Sequence, residues 1–162
     1  MADDVLINKA ASIERAVKRA REEYAAAANF AVDFTRQDAA ILNIQRACEA
    51  ALDMGQHLIR RDRLGVPNSA RDVFSLLAEA GWIDAPLADA LKRMVGFRNI
   101  AIHQYQALLL PITISVITKH LDQLLEFSAA ILKQGASKSS SRYDQEFPLP
   151  LTSKPRACPK ID

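Results

Sequence analysis

Between Met94 and Tyr105 the chain reads Met-Val-Gly-Phe-Arg-Asn-Ile-Ala-Ile-His-Gln-Tyr. Arg98, Asn99, His103 and Tyr105 therefore fall within about two helical turns. Arginine offers a planar, always-charged fork that matches phosphate oxygens. Histidine titrates near neutrality and can take and return a proton. Together they suit phosphate chemistry. On RNA, a base would take the proton of a 2′-hydroxyl and that oxygen would attack the adjacent phosphorus. A cation would stabilise the charge that builds in the transition state. This route needs no metal and no cofactor.

The spacing sets a geometric condition. Arg98 and His103 are five apart, about 140° around an ideal helix, whereas Asn99 and His103, four apart, share a face. A straight helix cannot aim Arg98 and His103 at one phosphate. Either the helix loosens near His103 or a second subunit completes the site, and both place these residues at a rim or an interface. Spacing alone is a weak signal, because an arginine and a histidine five apart occur often by chance.

Other chemically capable residues are few. Glu49 and Asp53 are four apart on the polar side of an amphipathic stretch. They either line a cleft near Arg98 or pair with Arg46, and a structural or orienting role is the simpler reading. His57 and His120 stand alone and read as half-buried structural residues. Arg60, Arg61 and Arg63 form a solvated helix end that could touch an RNA backbone. The sequence has no Glu-x-x-His pair for a di-iron bundle, no Gly-rich phosphate loop and no zinc spacing.

The elements that must position these residues are helical. Ile13, Val17, Ala20 and Tyr24 step by four, three and four, which predicts a helix over 4–28. Ile41, Ile44, Cys48, Leu52, Gly55 and Ile59 predict a second helix, starting near Thr35 or Gln37 and stopping at Gly65. Ala47, Ala51 and Gly55 are small and four apart, so another helix can approach closely. Ser69 with Asp72 caps a short third helix that Gly81 ends. Trp82 then packs back onto the core, and Asp84 caps a fourth helix running toward Arg98. The β-branched run Ile112–Thr118 alternates like a strand, but Val116, Leu121, Leu124, Phe127 and Ile131 carry a helical stripe from Pro111 to Leu132. No other stretch offers a strand to pair with it. The expected fold is all-α, an up-and-down bundle of about five helices over 4–133, with a flexible low-complexity tail over 134–162.

Composition narrows the class further. The 162 residues are 49% hydrophobic and only 6% aromatic, which fits one globular domain. Residues 1–132 hold 15 Lys/Arg and 16 Asp/Glu, a net charge of −1, while residues 133–162 hold 6 and 3, giving +3. Any nucleic-acid contact must then be local rather than a global electrostatic funnel. There is no apolar run of membrane-spanning length, and the acidic start does not resemble a secretory signal. Cys48 reads as a buried thiol and Cys158 lies in the Pro-rich tail, so a disulfide between them is not expected and a reducing cytoplasm is.

The stretch Arg98–Tyr105 resembles the Arg-x4–6-His motif of HEPN domains. More narrowly, it resembles the Arg-Asn-x-x-x-His-x-Tyr form of HepT toxins from HepT–MNT toxin–antitoxin modules. Asn43-Ile44-Gln45-Arg46-Ala47-Cys48-Glu49-Ala50-Ala51-Leu52-Asp53, Val66-Pro67-Asn68-Ser69-Ala70-Arg71-Asp72-Val73-Phe74 and Met94–Phe97 also fit, so the likeness covers roughly Asp4 to Lys133. The resemblance implies an all-helical homodimer with two motifs across a cleft, acting as a metal-independent ribonuclease. It implies that Arg98 stabilises the phosphate, His103 acts as general base or acid and Asn99 orients one of them. It further implies an MNT-type nucleotidyltransferase antitoxin that transfers AMP to the Tyr105 hydroxyl and so blocks the cleft. The alternative is a non-catalytic HEPN module that binds a nucleotide or scaffolds that partner. The near-neutral helical part favours the alternative, and the intact Arg98/His103 pair favours the enzyme.

Overall fold

Asp3 begins the first helix. Its side chain accepts hydrogen bonds from the backbone N–H groups of Val5 and Leu6, at 3.1 and 3.4 Å. The structure, a computed structural model, describes residues 3–103 and 106–146. α1 spans Asp4–Ala26 and buries Leu6, Ala10, Ile13, Val17 and Ala20 in one stripe. α2 spans Phe34–Asp62. Its cap is Asp33, whose carboxylate accepts from Arg36 N–H at 3.1 Å, and Thr35 lies inside the first turn. Nor does α2 wait for Gly65 to stop: Arg63 takes the left-handed conformation (φ 54°), and Leu64 N–H bonds Ile59 C=O at 3.0 Å. Both caps thus lie two residues before the expected ones: a carboxylate takes the hydroxyl's role at the start, and the left-handed backbone of Arg63 takes the glycine's at the end.

α1 and α2 run antiparallel. Lys9 meets Asp53 at one end and Glu23 meets Arg36 at the other, each at 2.7 Å. Glu23 is buried, and Arg19 pairs its second oxygen at 2.6 Å, so the buried carboxylate is matched by two guanidinium groups. α3 spans Ala70–Glu79, with Ser69 Oγ accepting from Asp72 N–H as expected. Gly81 follows in a left-handed conformation (φ 76°), which lets Trp82 N–H reach Leu77 C=O at 2.9 Å. Trp82 is fully buried. α4 spans Ala85–His103, and Asp84 caps it through Leu87 N–H at 2.9 Å.

The fifth rod is continuous. α5 spans Gln106–Ser115, a π-helical turn occupies Val116–His120, and α6 spans Leu121–Glu146. The strand-like run Ile112–Thr118 is helical throughout. The π turn inserts one extra residue, which lets neighbouring Val116 and Ile117 both face the core. Phe127 on α6 packs edge-on against Phe74 of α3, with centroids 5.6 Å apart. The five-rod bundle is therefore as expected, and among the described residues there is no strand.

α6 does not stop near Leu132. It passes through Gly135 because the extension has something to hold. Gln134 donates to the Trp82 carbonyl at 3.3 Å, and the Lys138 ammonium sits 3.8 Å from the Trp82 ring centroid. Of the expected tail, residues 134–146 are helical and residues 147–162, with Cys158, lie outside the described residues. No helix among the described residues is long and apolar enough to cross a membrane.

Gly55, the last of the small residues spaced along α2, is where α3 docks. A Cβ on Gly55 would meet Val73 Cγ1 at 2.6 Å and Leu77 Cδ1 at 3.1 Å. Gly55→Ala should destabilise the fold by about 1–2 kcal/mol in urea unfolding, because overpacking outweighs the roughly 1 kcal/mol gained in helix propensity. Gly135→Ala, with nothing within 4 Å of its Cβ, should leave stability unchanged or raise it. Equal effects of the two would refute this packing account.

Candidate active site

Arg98 lies on the side of α4 that faces α2. Its guanidinium forms an ion pair with Glu49. The Arg98 side chain is 25% exposed and that of Glu49 48%, so the pair stands at the mouth of a groove and not in the core. The Arg98 Nε is buried with no hydrogen-bond partner. One terminal nitrogen, Nη2, thus meets the carboxylate, while the guanidinium keeps solvent access for an anion. Gln45, Arg46, Asp53 and Lys9 line the same groove.

The sequence alternatives for the two acids resolve differently for each. Glu49 turns to Arg98 and Asp53 to Lys9. Neither pairs with Arg46. Lys9 is a groove residue that the sequence did not single out. Only the antiparallel packing of α1 on α2 brings it beside Asp53, and nothing within α1 marks it. Cys48 lies one residue before Glu49 and is buried. Burial above all, with the nearby charge of Glu49, pushes its thiol up to about 12, against the opposing pull of Arg98. It is an inert packing residue at neutral pH.

Asn99 is exposed and makes no hydrogen bond to a described residue. α4 stays helical through His103, so the roughly 140° between Arg98 and position 103 persists in the backbone. The His103 side chain and all of Tyr105 lie outside the described residues. The isolated histidines have structural settings. His57 is 2.7 Å from Asp3, and His120 is half-buried in the π turn. Burial works to raise the Asp3 carboxyl, but hydrogen bonds from His57 and Arg61 hold it below the ordinary value.

Comparison with known proteins gives one consistent picture. Residues 12–131 match the family model described as ribonuclease HepT-like. The chain is 48% identical over 125 residues to the mRNA nuclease HepT of Shewanella oneidensis, covering 77% of this chain and 94% of that protein. A crystal structure of a toxin–antitoxin complex with AMP-PNP contains a chain that is 46% identical, with a TM-score of 0.76, covering 80% of this chain and 98% of that one. A structure of the tri-AMPylated Shewanella oneidensis HEPN toxin in complex with MNT antitoxin matches with 47% identity and the same TM-score of 0.76, over 80% of this chain and 97% of that one.

Proposed function

The chain belongs to the HepT-like ribonuclease family, and we propose that it is a metal-independent endoribonuclease toxin that acts as a cytoplasmic homodimer. The observation that carries this reading is Arg98, a quarter-exposed guanidinium held at the groove mouth by one carboxylate. In this reading His103 takes the 2′-hydroxyl proton, and the 2′-oxygen forms a bond to phosphorus as the P–O5′ bond breaks. The leaving 5′-oxygen takes a proton, and the products are a 2′,3′-cyclic phosphate and a 5′-hydroxyl. Arg98 neutralises the extra charge on the phosphorane oxygens. Asn99 orients one of these two residues, Glu49 holds the guanidinium in plane, and Asp53 fixes Lys9 at the groove edge. A second protomer brings the two motifs face to face, which answers the unfavourable angle along one α4.

The relatives found in complex with an MNT antitoxin support a matching partner for this chain. That nucleotidyltransferase would transfer AMP from ATP to the Tyr105 hydroxyl. The phenolic oxygen bonds to the α-phosphorus, pyrophosphate departs, and the phenol proton is lost. The added phosphodiester and adenosine would stand two residues from His103 and close the cleft.

Incubating purified protein with RNA in excess EDTA tests the nuclease. Cleavage is expected, leaving cyclic phosphate ends, and a 2′-deoxy substitution at the cut position should abolish it. Binding without cleavage would replace this reading by the non-catalytic module.

A further inference from the structure

α4 has an outer face that the groove does not use. Arg93, Gly96, Ile100 and position 103 step by three, four and three, so they form one strip about 15 Å long. Arg98 is on the opposite side. Arg93 is exposed, and its side chain makes no ion pair or hydrogen bond to a described residue. Ile100 is 37% exposed. α3 runs antiparallel to α4 and delivers Arg71 onto this strip. A Cβ built on Gly96 would lie 3.1 Å from Arg71 Nη2, so the guanidinium rests in the notch that the glycine leaves. Arg71 is likewise exposed and has no carboxylate partner among the described residues. Lys92 beside them is spent on Asp89 at 3.8 Å.

Two arginines with no carboxylate partner among the described residues therefore line the approach to the histidine position, in a helical part whose net charge is near zero. An arginine without a carboxylate keeps its whole fork for phosphate. We propose that the Arg93–Gly96–Ile100 strip of α4, with Arg71 seated at Gly96, is a track for the RNA backbone leading toward position 103, on the side of α4 away from Arg98. It rests on the ribonuclease reading and adds a substrate-binding role for Arg71 and Arg93. These residues grip phosphates and read no bases, so they set affinity and register rather than sequence preference.

The test uses a fluorescein-labelled 2′-O-methyl oligoribonucleotide, which lacks the attacking hydroxyl, titrated at several salt concentrations. Arg71→Ala and Arg93→Ala should each weaken binding several-fold and reduce the slope of log K against log salt by about 0.7. Arg15→Ala, on the solvated face of α1, should change neither. Gly96→Ala should weaken binding in the wild-type background but not in Arg71→Ala. With cleavable RNA, the double variant Arg71→Ala/Arg93→Ala should raise KM and spare kcat. A wild type that cuts RNA, with an unchanged salt slope in the double variant, would overturn the track while leaving the nuclease standing. That is also the result expected if the strip serves an acidic protein surface. A wild type that neither binds nor cuts RNA would remove the ribonuclease reading itself, and the track with it.

Discussion

Arg98→Ala is expected to lower RNA cleavage by on the order of 10²–10³-fold at saturating substrate, because it removes a positioned charge that is worth most in the transition state. Arg98→Lys should recover little, since an ammonium lacks the planar fork. Loss of fold would not explain the result. Glu49 is about half exposed and Arg98 a quarter exposed, so solvent screens the pair, which contributes about 1 kcal/mol or less, and circular dichroism should be unchanged. Glu49→Gln separates positioning from chemistry. It keeps a hydrogen-bond acceptor but loses the charge that holds the guanidinium, and misplacement should reduce kcat by roughly 10- to 100-fold. On the proposal that Glu49 acts only through Arg98, adding Glu49→Gln to Arg98→Ala should have no further effect. Full additivity of the two would separate Glu49 from Arg98, and equal cleavage by all variants would remove Arg98 from the mechanism.

How much of this could be read from the chain depends on how local each signal is. The helical stripes of α1, α2 and α3 and the Ser69 and Asp84 caps are local, and each is found where the spacing put it. The close approach at Gly55 was legible too, because a small-residue stripe has one structural use. The misses involve choices among nearby equivalents. Asp33 and Thr35 can both cap a helix, and only the entry angle of the chain decides between them. Arg63 takes a left-handed residue's place two positions before a glycine that could have done so. The continuation of α6 was illegible for a different reason. Gly135 and the serines after it look like a linker, and the contacts that hold the helix come from Trp82, over fifty residues earlier. Within the site, Arg98 and Glu49 were legible as candidates, but their pairing was one of two alternatives, settled only by the packing of α4 on α2. Lys9 and Arg71 gave no chemical signal of their own. Gly96, a half turn before Arg98, was the one trace of the neighbour that rests on it.

Tyr105→Phe should leave RNA cleavage intact and remove its neutralisation. Phenylalanine keeps the ring and loses only the oxygen that would accept AMP. With the matching nucleotidyltransferase and Mg-ATP, the wild type should gain mass in AMP steps on the peptide carrying Tyr105, and its cleavage should fall by about 10²-fold or more. The reason is electrostatic as much as steric. Each AMP brings a phosphodiester anion, and an anion that reaches Arg98 competes with the scissile phosphate for the same fork, which amounts to losing that group from the transition state. The same reasoning makes the effect depend on Arg98. In Arg98→Ala the modification should still occur, since transfer needs only the phenol, but there should be little activity left for it to suppress. Raising salt should relieve a purely charge-based block and leave a steric one in place. If Tyr105→Phe is still silenced by the partner with no mass gain, neutralisation works by occlusion in the complex and the tyrosine is not its target.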